Sequence, residues 1–382
     1  MDVAMADEPV QSIGDENAKG GPQDGVALCL SGGGYRAMIF HVGVLWRLYE
    51  TGVLQTVARI SSVSGGSITA GLLALKWSEL MRGPAPNIQT FKKEVVEPLR
   101  SLGRTTIDVK AAILGLILPG RVSDRVAAAY ESHLFGPATL QDLPDNPRFV
   151  FNATNVQSGA LWRFMKPYMR DYRVGEVRKP TVKLSKAVAA SSAFPPVLSP
   201  VELELEETAF SPKSGSDLQR PPYTTRVILA DGGVYDNLGL ETAWKRYRTI
   251  LVSDAGGKLQ AEPEPKSDWG RHAYRVLDLV DNQVRSLRKR QVIDSFKDGV
   301  RSGAYWGIRT NVLDYGLQKT LPCPADATMK LAETPTRLQA MDDLLQERLI
   351  NWGYAVCDAA LRKYVNPAIA APADFPFPAA KV

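Results

Sequence analysis

The chain has 382 residues, 45% hydrophobic and 23% charged, enough to bury a large core in one enlarged α/β domain or two. Three scattered cysteines, Cys29, Cys323 and Cys357, exclude a disulfide framework or a zinc site, and the longest apolar run, Ala111 to Leu118, is far short of the ~20 residues of a spanning helix. The net charge of +5 is unevenly shared: residues 1–24 carry −5 (Asp2, Asp7, Glu8, Asp15, Glu16 and Asp24 against Lys19), leaving +10 on the rest.

Residues 1–24 read as a disordered acidic arm, with no apolar h-region after Met1, and the cysteines as free thiols of a reducing compartment; a cytoplasmic protein is expected. Val26–Leu30 is a short continuous apolar run that suits a buried parallel strand. Arg36–Thr51 follows as a helix, with Met38, Val42, Leu45 and Leu48 at helical spacing and Gly52 as the stop. A second strand over Arg59–Val63 leads into Ser64, and Gly65–Trp77 continues as a helix. Strand, turn and helix twice over within some fifty residues argue for a parallel sheet covered on both faces.

Residues 87–135 read as mostly helical, broken at Pro98 and at Pro119-Gly120. Arg148–Val156 and Ala160–Met165 resemble a strand pair joined at Ser158-Gly159, Leu184–Ala193 a helix ending at Phe194-Pro195-Pro196, and 203–223 a surface loop. Val227–Ala230 is a strand with Asp231 at its C-terminal end. Asn237–Arg246 is read as a helix, Thr249–Ser253 as a strand and Trp269–Phe296 as a long helix. Helices return over Thr336–Lys363, and a Pro/Ala-rich tail closes the chain from residue 366. Eight cations between Leu161 and Lys186 face only Asp171 and Glu176, a stretch that is either an ordinary solvated surface or a face for anionic headgroups or nucleotides.

Three segments carry chemistry. A serine hydroxyl needs a base to take its proton and fixed donors for the oxyanion that its attack creates. Val63-Ser64-Gly65-Gly66 fits a nucleophile elbow, with Ser62 where the first glycine of G-x-S-x-G would stand. Gly32-Gly33-Gly34 follows a strand and opens a helix, so its N–H groups can face negative charge. The same run through Ala37 matches the dinucleotide fingerprint, but the acidic residue required at the end of the second strand is replaced by Ser61-Ser62-Val63-Ser64. None of His41, His133 and His272 follows a strand end in a loop, whereas Asp231 does, with room left by Gly232-Gly233. A Ser–Asp dyad is therefore expected, with a base weaker than imidazole unless desolvation raises its pKa. Arg36, just inside the first helix, is a candidate contact for substrate or phosphate, and Ser191 to Pro196 for the site wall.

The SGGGYRA, SVSGGS and DGG segments, with Ala189-Ala-Ser-Ser-Ala-Phe-Pro-Pro196 between them, resemble the patatin-like phospholipase family over about Gly25 to Gly257. The resemblance implies a three-layer α/β/α sandwich with a mostly parallel central sheet; the helices read over 258–365, outside the shared motifs, are expected to extend it. It implies Ser64 as nucleophile, Asp231 as its sole base, Gly32, Gly33 and Gly34 as the oxyanion hole, and hydrolysis of lipid acyl esters without a metal or other cofactor. No nucleic acid is expected, and the oligomeric state is unreadable. A catalytically silent lipid- or protein-binding module of the same fold and a nucleotide-binding protein using the glycine loop stand as alternatives. Two apolar stretches, Val109–Leu118 and the stripe Val276, Val280, Val284, Leu287 of the long helix, are read as core or, alternatively, as peripheral contacts with a membrane surface.

Overall fold

Apolar runs too short for helices assemble the centre of the molecule. In a computed structural model, which describes residues 22–107 and 121–382, β1 (Gln23–Leu30) is wholly buried over its last four residues. It pairs in parallel with β2 (Val57–Ser62) on one edge and with β9 (Tyr247–Asp254) on the other. Beyond these lie β3 (Arg148–Asn155) and β10 (Ser302–Gly307), so β10-β9-β1-β2-β3 forms a five-stranded parallel core. A meander of β4 (Ala160–Phe164), β5 (Tyr168–Asp171) and β6 (Gly175–Arg178) extends it antiparallel from β3. The expected mostly parallel centre with flanking helices is present, with an antiparallel wing. The acidic arm as far as residue 21, the stretch Val109–Leu118 and Pro119-Gly120 lie outside the described residues.

The feature that positions the site is β8 (Arg226–Asp231). It pairs antiparallel with β7 (Val201–Glu204) and with the far end of β3, Ala153 opposite Asp231. Because β4 occupies the other edge of β3 over the same residues, β8 lies on the edge that β2 shares. β2 ends opposite Phe151 and β8 ends opposite Ala153, so two strands running towards each other stop one residue apart along β3. Asp231 thus reaches the carboxyl ends of the parallel strands from the opposite direction, not from a parallel strand of the doubly wound kind.

Helix α1 (Gly34–Glu50) is buried at every residue but its last. α2 (Gly65–Leu80) starts at the residue after Ser64, and α3 (Leu184–Ser191) packs beside β3 and β8. Pro98 does not break its helix: it sits at the start of a helical piece, where a missing N–H costs least, after one wide turn over Lys92–Val96. Of the helix expected at 237–246 only the single turn Glu241–Trp244 forms, separated at Gly239 (φ 66°) from an earlier single turn, Gly233–Asp236. The long helix α4 (Trp269–Lys297) forms as expected, while the last one, α5 (Asp343–Ala360), starts later than expected at an Asp342 cap. Residues 366–382 are held on α1 and α5: Asn351 Nδ2 donates to the carbonyls of Phe377 and Lys381 at 2.8 and 2.7 Å, and the Phe377 ring meets Trp46.

Strands β5, β6, β7 and β10 are absent from the sequence reading. β5 and β6 are four-residue, half-exposed strands inside the basic stretch, and β10 hides behind Gly303 and Gly307. Gly303 is required there, since any side chain would strike the Ile250 backbone of β9. The basic stretch is no free cationic face: six of its eight cations pair with acids, among them Arg173 with Asp217 at 2.6 Å and Lys186 with Asp124 at 2.7 Å.

Candidate active site

At the end of β2 the chain turns through Ser64 with φ 51° and ψ −122°, a conformation that costs an L-residue roughly 1–3 kcal/mol. The surroundings hold it there. Val63 N–H donates to the Leu30 carbonyl at 3.1 Å, and Ser64 N–H is shared between the carbonyl and the hydroxyl of Ser191, both at 3.1 Å. Ser62 does not crowd the apex. Its hydroxyl bonds the Val150 carbonyl at 3.2 Å and accepts from Ser67 at 3.0 Å, in a buried chain that continues to Ser191.

The turn after β8 hangs from the same point. Asp231 N–H donates to the Ala193 carbonyl at 2.8 Å and Gly232 N–H to the Ser191 carbonyl at 3.3 Å. One carbonyl at the end of α3 therefore ties the Ser64 turn to the Asp231 turn. Ser191, read from sequence as wall, is the clamp between them.

Asp231 is buried, and one of its oxygens accepts the Gly233 N–H at 2.7 Å. Its buried Oδ2 has no hydrogen-bond partner among the described residues and is left for the group that enters the cavity. The Ser64 and Asp231 side chains both line one cavity, where a nucleophile–base hydrogen bond can form or tighten once a substrate fills the site. Desolvation dominates the titration and pushes Asp231 up to about 7, against the Gly233 N–H and the Ser64 hydroxyl.

The glycine turn completes the frame. Gly32 N–H is already engaged by the Asn237 carbonyl at 3.1 Å, and a side chain on Gly32 would collide with Ser64 Cβ and the Asn237 amide. Gly32 thus permits close approach. Gly33 and Gly34, with φ 142° and 56°, adopt conformations that side chains disfavour and line a cavity at the start of α1. Neither of their N–H groups has a protein acceptor among the described residues. The cavity, of about 860 Å³, also exposes Ser64 and Asp231, and has an apolar wall at Phe194–Leu198.

Arg36 is not a substrate contact. Its guanidinium is buried and donates to the carbonyls of Ala255, Ala332 and Thr334 at 2.7–2.9 Å, fastening the C-terminal region to α1. The guanidinium groups on the cavity wall are instead those of Arg275 and Arg285 on α4, the latter beside Asp281, and of Arg337. His41 is likewise structural: wholly buried, it bonds Ser253 Oγ and the Ser31 carbonyl at 3.0 Å each, and burial lowers it to about 4. Asn237, Arg285 and residues 336–338 are cavity residues that sequence reasoning missed. Asn237 had a signal in its place just after the Asp-Gly-Gly turn; the others had none, because nothing local links them to Ser64.

Residues 28–244 match the family described as patatin-like phospholipase. No curated protein matches the chain. Among solved structures it is similar to human GIVD cytosolic phospholipase A2 in complex with methyl gamma-linolenyl fluorophosphonate, at 15% identity and TM-score 0.49, over 88% of this chain and 57% of that one. It is also similar to VipD from Legionella pneumophila, at 16% identity and TM-score 0.31, over 81% of this chain and 67% of that one. The chain spans little more than half the length of the human protein.

Proposed function

The chain belongs to the patatin-like phospholipase family, and on that premise we propose that it is a serine lipid acyl hydrolase working through a Ser64–Asp231 dyad. The observation that supports this reading is the convergence of the Ser64 and Asp231 turns on the Ser191 carbonyl, with both side chains on the wall of one cavity. Ser64 Oγ attacks the acyl carbon while Asp231 Oδ2 takes its proton. The oxyanion forms against the N–H groups of Gly33 and Gly34 and the start of α1, whose dipole favours negative charge. Collapse expels the alcohol, which regains the proton from Asp231 and leaves an acyl-Ser64 ester. Water, deprotonated by Asp231, then attacks the ester; the acid leaves and Ser64 Oγ regains the proton from Asp231. The apolar wall at Phe194–Leu198 suits an acyl chain, and the cavity volume is of ligand size.

Hydrolysis of a short-chain nitrophenyl ester tests the proposal. Ser64→Ala should lower kcat/KM by about 10³-fold or more, and Asp231→Asn nearly as far. Activity that survives Ser64→Ala would defeat the enzyme reading and leave a lipid-binding module. A base must be ionised, so wild-type kcat/KM should climb with pH and level off above about 7. The raised pKa acts oppositely on stability: the folded state binds the proton more tightly, so stability is lost as pH rises through 7. Asp231→Asn should therefore melt higher than wild type at pH 8 and lose that advantage near pH 4, as read by calorimetry.

A further inference from the structure

Over its first five turns helix α4 turns a polar face to the cavity and an apolar face outward, while Val292 and Phe296 in its last turns pack inward on the cluster around Ile250 and Val252. Tyr274, Asp278, Asp281 and Arg285 recur at helical spacing and line the cavity. Trp269, Val276, Val280 and Leu287 follow at intervals of 7, 4 and 7, which at 100° per residue places them within a stripe about 40° wide on the opposite side. That stripe is bare: Trp269 is 89% exposed, Val280 51% and Leu287 57%, with Leu277 and Leu279 exposed on its flanks. Of the 29 residues only Val292 and Ser295 are buried. Of the stripe read from sequence as core or as a membrane-surface contact, Val276, Val280 and Leu287 are thus uncovered and Val284 is half-buried.

The charge around the stripe says what would cover it. The helix carries seven Arg and Lys against Asp278, Asp281 and Asp294, and two of those acids turn into the cavity. Arg290 flanks the stripe and has no ion-pair partner among the described residues, and exposed Lys297 lies on the same flank, with Asp294 at 3.8 Å. An exposed tryptophan, aliphatic residues in a line and flanking cations form the surface that seats in an anionic headgroup layer. A protein partner, or a second copy of this chain, would have to meet the same cations with acids, and the stripe itself offers only Asp294 near its end.

We infer that the outer face of α4 docks the protein on anionic phospholipid bilayers, with Trp269, Val276, Val280 and Leu287 inserted and Arg290 and Lys297 on the headgroups. The helix forms part of the cavity wall, so docking brings that cavity to the lipid surface. The inference rests on the acyl-hydrolase reading for its purpose and not for its test. Ser64→Ala protein, which binds without turning over, is sedimented with vesicles of phosphatidylglycerol and phosphatidylcholine in equal parts, and with pure phosphatidylcholine. Binding to the anionic vesicles that weakens with salt, and falls about tenfold or more in a Val280→Glu/Leu287→Glu variant, supports docking. Both positions are exposed and off the cavity, so the double variant on the wild-type background should keep its soluble-ester activity. Equal sedimentation of parent and variant, or none by the parent, overturns the inference. So does a parent dimer in size-exclusion chromatography that the double variant splits, which would assign the stripe to a second copy. None of these outcomes depends on Ser64 being a nucleophile.

Discussion

Helices α1 and α4 are both long and regular, and they stand at opposite extremes of burial. α1 is enclosed between the sheet and α5, so even its polar residues are committed: Arg36 to three carbonyls, His41 to Ser253 and Ser31, Arg47 to Asp358 at 2.7 Å. α4 buries two residues and leaves its apolar stripe bare. A periodic apolar pattern therefore announces a helix without saying which face turns inward. Neighbours decide that. α5 closes on α1 because Gly43 and Gly353 let the backbones approach, and the 28–244 region that matches the family contains α1 but not α4.

The contrast can be broken or sharpened by urea unfolding midpoints. The largest effect is expected from Asp358→Ala, which leaves Arg47 and Arg362 charged in the α1–α5 contact without their carboxylate and should cost about 3 kcal/mol. Gly43→Ala should cost about 1–3 kcal/mol, since the new methyl would land on the Ile350 carbonyl of α5 and the helices must part. Val280→Ala on α4 should change stability by less than about 0.5 kcal/mol. A loss near 2 kcal/mol at Val280 would mean that the stripe is packed in solution, and the contrast between the two helices would fail.

Much of the site was legible along the chain because its parts are local. An apolar strand, a tight turn and a helix start are written in consecutive residues at Leu30–Gly34, at Ser62–Gly66 and at Ala230–Gly233. The elbow tolerated Ser62 because its hydroxyl found buried partners, a fact no local pattern contains. Arg36 was misread for the same reason: an arginine beside a glycine turn looks available until the carbonyls of residues 255, 332 and 334 arrive from far along the chain.

By itself the sequence determined the strand-turn-helix units, the choice of Ser64 and Asp231 as candidates at strand ends, and the helical period of α1 and α4, because each depends on backbone and side-chain preferences within a few residues. Tertiary structure alone decided that β8 meets β2 end to end along one edge of β3, that Gly32 uses its N–H inward while Gly33 and Gly34 face the cavity, and that α4 wears its apolar side outward. Those outcomes depend on which distant segments compete for the same edge, donor or face, and that competition is resolved only when the whole chain packs.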